Sequence, residues 1–445
     1  MINQWRKLVR IAFMIGAISM GKFVFAQDAQ SPQSPSDAPN QDARTLEDLN
    51  MQGGDAAMPP FEDSVVNVNS EYRQGLFRHG MALRVIDSLQ YAQNTLASPV
   101  AADDQVYVGQ RAFYGAMSNP ILTWDMRQFG LRHAQLNVSG VWQWVSWQPA
   151  GPKAFDLWTL YFYKAFGNDR VEIKAGYNSN DLEFVGMQVG GSTASGVQGV
   201  YAILPYEVGM AFFPLPAPLF NLKINGPDHL YVKSGVQRSL DAAGGPATEA
   251  RNHTGLRFAP KGDKLLILEE GGFRREASAA ARETWFRAGY LRSSTLYTDM
   301  SNGKLEPGNS AEYALLDIQL RKPDSAAPWH GLYLGGSAMS ADSKFNAFDR
   351  YYEARLYQMG TFHNRPGDVA SIVSTYTGHS NYLTDALVAK GNTVWRNGAS
   401  LTGSYNIHLA PGNYLSMGLS YLRGPAITPR VNDALTFAAV YSVFF

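Results

Sequence analysis

The stretch Asp433-Ala-Leu-Thr-Phe-Ala-Ala-Val-Tyr-Ser-Val-Phe-Phe445 decides the fold. Successive side chains of a strand point to opposite faces. Leu435, Phe437, Ala439, Tyr441, Val443 and Phe445 therefore share one apolar, aromatic face, and Ala434, Thr436, Ala438, Val440 and Ser442 form a smaller, partly polar one. A strand that is greasy outside and mildly polar inside suits a wall between lipid and water. Only helices and closed barrels can cross lipid, because every backbone N–H and C=O must find a partner within the protein.

The same alternation recurs along the chain. In Arg170–Asn178, Val171, Ile173, Ala175 and Tyr177 oppose Arg170, Glu172, Lys174 and Asn178. In Glu312–Arg321, Ala314, Leu316, Ile318 and Leu320 oppose Asp317, Gln319 and Arg321. Leu136, Val138, Trp142 and Trp144 alternate with Gln135, Asn137, Ser139 and Gln143, and segments 395–408 and 415–421 repeat the pattern. Charges at every second position fit a wet interior. Turn residues punctuate these runs at Gly167-Asn-Asp169, Asn225-Gly-Pro-Asp228, Lys261-Gly-Asp263 and Pro411-Gly-Asn413.

The first residues supply a compartment. Arg6, Lys7 and Arg10 precede the mainly apolar run Ile11–Met20, and Phe23-Val-Phe-Ala26 comes before Gln27-Asp28, the layout of a secretory signal cut after Ala26. No later segment is long and apolar enough for a membrane helix. Cysteine is absent, which removes disulfides and thiolate metal sites. The formal charge is zero for the whole chain, and loss of Arg6, Lys7, Arg10 and Lys22 would leave 34 basic against 38 acidic residues, so no nucleic-acid partner is expected. Residues 27–70, opened by a Gln/Ser/Pro/Asp-rich stretch, read as a disordered periplasmic lead-in, with a short helix near Glu71–His79 before the first strand.

Residues 71–445 then form the barrel domain. At roughly 20 to 25 residues per strand, loops included, its length predicts an all-β, antiparallel transmembrane barrel of about 16 strands. It is too short for a plugged receptor barrel of about 22. The Pro-rich Phe213–Leu219 reads as a loop or turn, because proline donates no ladder bond.

Three blocks carry a family resemblance: Glu71-Tyr-Arg-Gln-Gly-Leu-Phe-Arg-His-Gly-Met-Ala-Leu83, the hairpin Tyr161–Phe184, and the closing stretch Asn406–Phe445 with its Pro411-Gly-Asn413 turn. Together they resemble the carbohydrate-selective porins of the OprB type. The chain departs from that pattern in loops such as Ala277–Arg282 and Asp385–Asn392, which bear on the substrate. The resemblance implies an outer-membrane channel through which sugars or polyols diffuse passively, with no cofactor or metal, and a monomer rather than a trimer. It also implies contact with outer-membrane lipid and lipopolysaccharide, and the terminal Phe445, an aromatic residue closing an amphipathic strand, resembles the signal read by the barrel-insertion machinery. A general, weakly selective porin is the alternative.

A sugar-selective constriction needs charged donors and acceptors for hydroxyls and aromatic faces for ring C–H surfaces. Candidate pore-lining residues are Trp124, Arg127 and Arg132 before one strand, Arg170, Glu172 and Lys174 on an inward face, and Asp181 and Glu183 in the following loop. The alternative for each is an ordinary lumen or rim residue solvated by channel water. A barrel hydrolase would need a nucleophile and a base on one face. The adjacent His379 and Ser380 point apart if they lie in a strand, so no enzyme is expected.

Overall fold

The computed structural model describes residues 45–55, 58–96, 100–147, 154–186, 203–322 and 327–445. Sixteen antiparallel strands form a closed barrel. They are β1 Met81–Asn94, β2 Phe113–Asp125, β3 Ala134–Val145, β4 Ala154–Phe166, β5 Val171–Asn178, β6 Ala217–Asn225, β7 Leu230–Arg238 and β8 Leu265–Arg275. There follow β9 Thr284–Ser293, β10 Ser310–Arg321, β11 Gly331–Ala341, β12 Phe348–Met359, β13 Val369–His379, β14 Asn397–Ala410, β15 Asn413–Arg423 and β16 Ala434–Phe444. Each strand pairs with its neighbour in sequence, and β1 pairs with β16, from Ile86 opposite Phe444 to Asn94 opposite Thr436. Closure leaves no edge for foreign strands.

The two faces follow the alternation expected from sequence. Val138, Trp142 and Trp144 of β3 and Leu435, Phe437 and Tyr441 of β16 lie outward, whereas Asn137, Ser139, Thr436 and Ser442 are buried inside. Hydroxyl pairs tie inward neighbours together, as Thr375 with Ser400 at 2.6 Å and Thr402 with Ser420 at 2.5 Å. The connections are tight at one end, at 167–170, 226–229 and 411–412, and longer at the other. In the first of these turns Asn168 and Asp169 take positive φ, a conformation these residues tolerate.

Helix α1, Glu71–Arg78, is capped by Ser70, whose side chain accepts from the Arg73 N–H, and it leads directly into β1. Signal residues 1–26 and lead-in residues 27–44 lie outside the described residues. The rest of the lead-in differs from the expectation of disorder. Its described residues are folded against the inner wall, forming a strap held mainly through its backbone. Gln135 Nε2 donates to the Asp48 carbonyl at 2.6 Å, the Tyr161 hydroxyl to that of Gln52 at 3.0 Å, and Arg84 Nη1 to that of Pro59 at 2.6 Å. Met51 and Met58 cover an inward apolar patch that includes Ile86, Met117, Ile121 and Val141. A low-hydrophobicity segment thus orders by filling bonds offered by the barrel, which composition does not reveal.

At the far end of the strap, Asp63 Oδ1 accepts from the Gly412 N–H at 2.7 Å and from His408 Nε2 at 2.9 Å, while Oδ2 accepts from the Tyr414 hydroxyl. Gly412 has φ +69°, and a Cβ there would lie 2.6 Å from the Val65 nitrogen, so only glycine lets the strap pass.

The loop between β5 and β6 also turns into the lumen. Its described parts include α2 Asp181–Phe184 and α3 Ile203–Glu207. Phe184, Val185, Leu204, Val208 and Met210 pack against inward Leu266, Leu268, Leu291, Tyr313 and Leu315. The Pro-rich stretch is only partly the loop expected: Phe213 packs edge-on to Trp158 at 5.2 Å, but Ala217–Leu219 open β6. Pro218 stands opposite Tyr177 at that strand's beginning, where a missing donor is tolerated.

Candidate functional site

Strands β4–β9, helix α2 and the strap converge on a charged cluster inside the barrel. Lys174 Nζ of β5 pairs with Glu183 Oε2 of α2 at 2.8 Å, donates to the Gly53 carbonyl at 2.7 Å, and lies 4.8 Å from the Tyr161 ring centre. Glu183 Oε2 also accepts from Asn221 Nδ2 of β6 at 2.7 Å. Lys233 Nζ of β7 reaches Asp55 Oδ1 of the strap at 2.5 Å, Glu270 Oε1 of β8 at 3.2 Å and the Glu183 carbonyl at 2.5 Å. Glu270 accepts further from the Tyr231 hydroxyl at 3.0 Å and the Tyr313 hydroxyl at 2.7 Å. The Arg287 guanidinium lies 3.4 Å from the Trp285 ring centre, its Nε 3.9 Å from Glu270.

Lys233, Glu270 and Arg287 are almost wholly shielded from water. Unpaired, such charges would cost several kcal/mol each, so the pairing holds the geometry rigid. Nearer the tight-turn end, Glu172 accepts from Tyr163 at 2.9 Å and Asn225 at 2.8 Å and pairs with Lys223 at 2.9 Å. Between this group and the strap lies a polar cavity of about 240 Å³.

A second inward ladder runs over β10–β12. Arg355 bridges Glu353 at 2.6 Å and Asp317 at 3.1 Å and donates to Ser337 at 2.7 Å. Tyr357 donates to Asp317 at 3.0 Å and Tyr351 to Glu353 at 2.6 Å, and the Tyr333 and Tyr357 rings stack at 5.0 Å. Ionic hydrogen-bonding groups are thus interleaved with aromatic faces along the inner wall, nearly all of them covered.

The model of the carbohydrate-selective porin, OprB family, matches residues 92–442. The chain belongs to that family. No curated protein matches the sequence. Among solved structures, OprB of Pseudomonas putida at high pH is 15% identical with a TM-score of 0.72, covering 86% of this chain and 98% of the other. Its low-pH structure is 13% identical with a TM-score of 0.55 and the same coverage. At such identity the likeness bears on fold. A porin of this family is an outer-membrane channel, so its tight turns face the periplasm and its longer loops the outside.

Of the residues singled out from sequence, this porin brings Lys174 and Glu183 into direct contact, and Glu172, held by its own partners, lines the same cavity. Asp181 lies on the same short helix, 3.5 Å from the Tyr206 hydroxyl. Arg170 is an exposed turn residue whose carbonyl accepts from the Asn225 N–H at 2.8 Å. Arg127 sits in the β2–β3 turn, paired with Asp125 at 2.7 Å and Asp48 at 3.6 Å, and the carbonyl of exposed Arg132 accepts from Lys164 at 2.8 Å. Trp124 faces outward, in register with outward Leu136 and edge-on to Phe129 at 5.2 Å, so it does not line the pore. Its strand parity with Leu122 carries that signal.

Lys233, Glu270, Arg287, Glu353 and Arg355 join the site without having been singled out from sequence, and Asp317 is marked there only as one polar residue of its strand. Glu353 and Arg355 share a parity in Tyr351-Tyr-Glu-Ala-Arg355, which marks them as inward. The pairing of Lys233 with Glu270 depends on register between strands. His379 and Ser380 serve different neighbours: His379 Nδ1 is 2.7 Å from the Trp395 carbonyl, and Ser380 donates to the Ser343 carbonyl at 2.6 Å.

Proposed function

We propose that this porin passes mono- or oligosaccharides, or polyols, by passive diffusion down their gradient, through a constriction lined by charged and aromatic residues. The observation that carries this reading is the polar cavity inside the barrel, where Glu172, Lys174, Glu183 and Lys223 stand beside the Tyr163 ring. Hydroxyls entering such a lumen exchange water for charge-assisted bonds, and C–H faces of a sugar ring meet aromatic surfaces. Weak, multiple contacts allow both binding and release. Glu172, Lys174, Asp181 and Glu183 are the pore-lining residues of this reading.

The chain would reach the outer membrane by removal of residues 1–26 and recognition of Phe445 by the insertion machinery, and would sit there as a monomer among lipid and lipopolysaccharide. Single-channel conductance in a planar bilayer titrated with glucose tests the channel reading. Saturable sugar block is expected, weakened severalfold by Lys174→Met with Glu183→Gln. Open channels indifferent to sugar would make this a general, weakly selective porin instead.

A further inference from the structure

The strap touches the charged cluster with oxygen atoms. Lys174 Nζ takes the Gly53 carbonyl at 2.7 Å, Lys233 Nζ takes an Asp55 carboxylate oxygen at 2.5 Å, and Arg274 Nη1 takes the Asp55 carbonyl at 3.2 Å. Three cations on three strands thus hold one carboxylate and two neutral oxygens from a short piece of chain. Aromatic faces flank them: Tyr231 beside Lys233 at 5.3 Å, and Trp285 beside Arg274 at 4.3 Å. The second Asp55 carboxylate oxygen is buried without a partner, as is Arg287 Nη1. The strap therefore fills the site incompletely.

Charge is also unbalanced once the strap is left out. Asp55 aside, Lys174, Lys223, Lys233, Arg274 and Arg287 stand here with the carboxylates of Asp169, Glu172, Glu183 and Glu270, five cations against four anions and so a surplus of one. A neutral polyol would not neutralise that surplus; a solute with a carboxylate and several further oxygens would.

We propose that this cluster is a binding site for acidic sugars, aldonates or uronates, and that residues 53–55 of the strap are its internal competitor. The solute carboxylate takes the place of Asp55 on Lys233, and ring or hydroxyl oxygens replace the strap carbonyls on Lys174 and Arg274. The proposal rests on the reading of this protein as a sugar channel and adds a substrate class to it.

The test uses the full chain in planar bilayers at fixed ionic strength, with glucuronate and glucose as probes. Variants are Asp55→Asn, a deletion of residues 45–58, and Asp55→Asn with Lys233→Met, each checked for heat-modifiable gel mobility. If the strap leaves the site free about a tenth of the time, its loss tightens glucuronate binding about tenfold. That gain is expected in Asp55→Asn and in the deletion, larger than any change in glucose block, and it should vanish when Lys233 is also replaced. Glucuronate affinity equal in wild type and both strap variants would overturn the proposal. Glucose that fails to block the wild-type channel would instead count against the neutral-sugar reading, because the proposal stands on the change in glucuronate affinity between wild type and the strap variants.

Discussion

Glu207 gives the lumenal loop a pH-dependent anchor. It ends α3, and its two carboxyl oxygens accept from the backbone N–H groups of Ala347 and Phe348 at 3.2 and 3.0 Å, at the extracellular start of β12. Burial pushes its pKa from the usual 4.5 up to about 8, against the opposing pull of those two bonds. When α3 undocks, the carboxyl meets water and returns to its ordinary value. The docked form therefore holds the proton more tightly, and docking is favoured most below the ordinary pKa and loses that advantage as pH rises through 8. At 1.36 kcal/mol per unit the full advantage is on the order of 5 kcal/mol, of which about 1.4 kcal/mol remains at pH 7.

Glu207→Gln keeps an acceptor for the backbone and cannot titrate. Hydrogen exchange at the Ala347 and Phe348 amides reads local opening of this joint. The wild-type protection, divided by that of the glutamine variant, should fall roughly seventyfold between about pH 5 and pH 7 and level off above about 8. A ratio constant within twofold over that span would refute the argument. Channel noise from the loop should rise over the same interval, because α3 packs inside the barrel.

At the periplasmic rim, burial raises the Asp63 carboxyl, but bonds from His408, Tyr414 and the Gly412 N–H outweigh it and hold the pKa below its usual 3.8. Its stabilisation of the strap is therefore present above that value and lost as pH falls through the lowered one. Asp63→Asn should remove about 1.5–3 kcal/mol of charged hydrogen bonding and raise protease cleavage within residues 45–66 at neutral pH at least about tenfold. Cleavage no faster than wild type would refute it. Gly176 in β5 has φ +139°, and a Cβ there would lie 2.2 Å from the Leu160 carbonyl oxygen. Gly176→Ala should cost more than about 1–3 kcal/mol and lower the temperature at which the barrel loses its compact gel mobility, and an unchanged transition would contradict the clash.

Strand parity made much of the barrel legible. Glu172 and Lys174 alternate with Val171 and Ile173, and this placed the charges inside before any partner was known. Trp124 is near Arg127 in the chain, but its parity with Leu122 places it on the outer face. The strap left no such trace. It binds through the carbonyls of Asp48, Gln52, Gly53, Asp55 and Pro59, and a backbone oxygen carries no residue signature. Lys233 and Glu270 stand opposite each other in register on neighbouring strands, a fact of pairing that neither strand's own pattern contains.

The strap also bears on how the ring stays shut. On one side of the β1–β16 junction it holds β1, through the Arg84 bond to Pro59 and the Arg84 guanidinium 4.2 Å from the Phe61 ring centre. On the other it holds β16 and the β14–β15 turn, where the Val65 N–H donates to the Phe444 carbonyl at 2.8 Å and Asp63 grips the Gly412 N–H, 349 positions away. Pairings so distant in sequence form late and slowly. To unzip sideways, the barrel must break a clasp as well as a ladder, and contacts made after the rate-limiting step lengthen the life of the finished molecule rather than hasten its making.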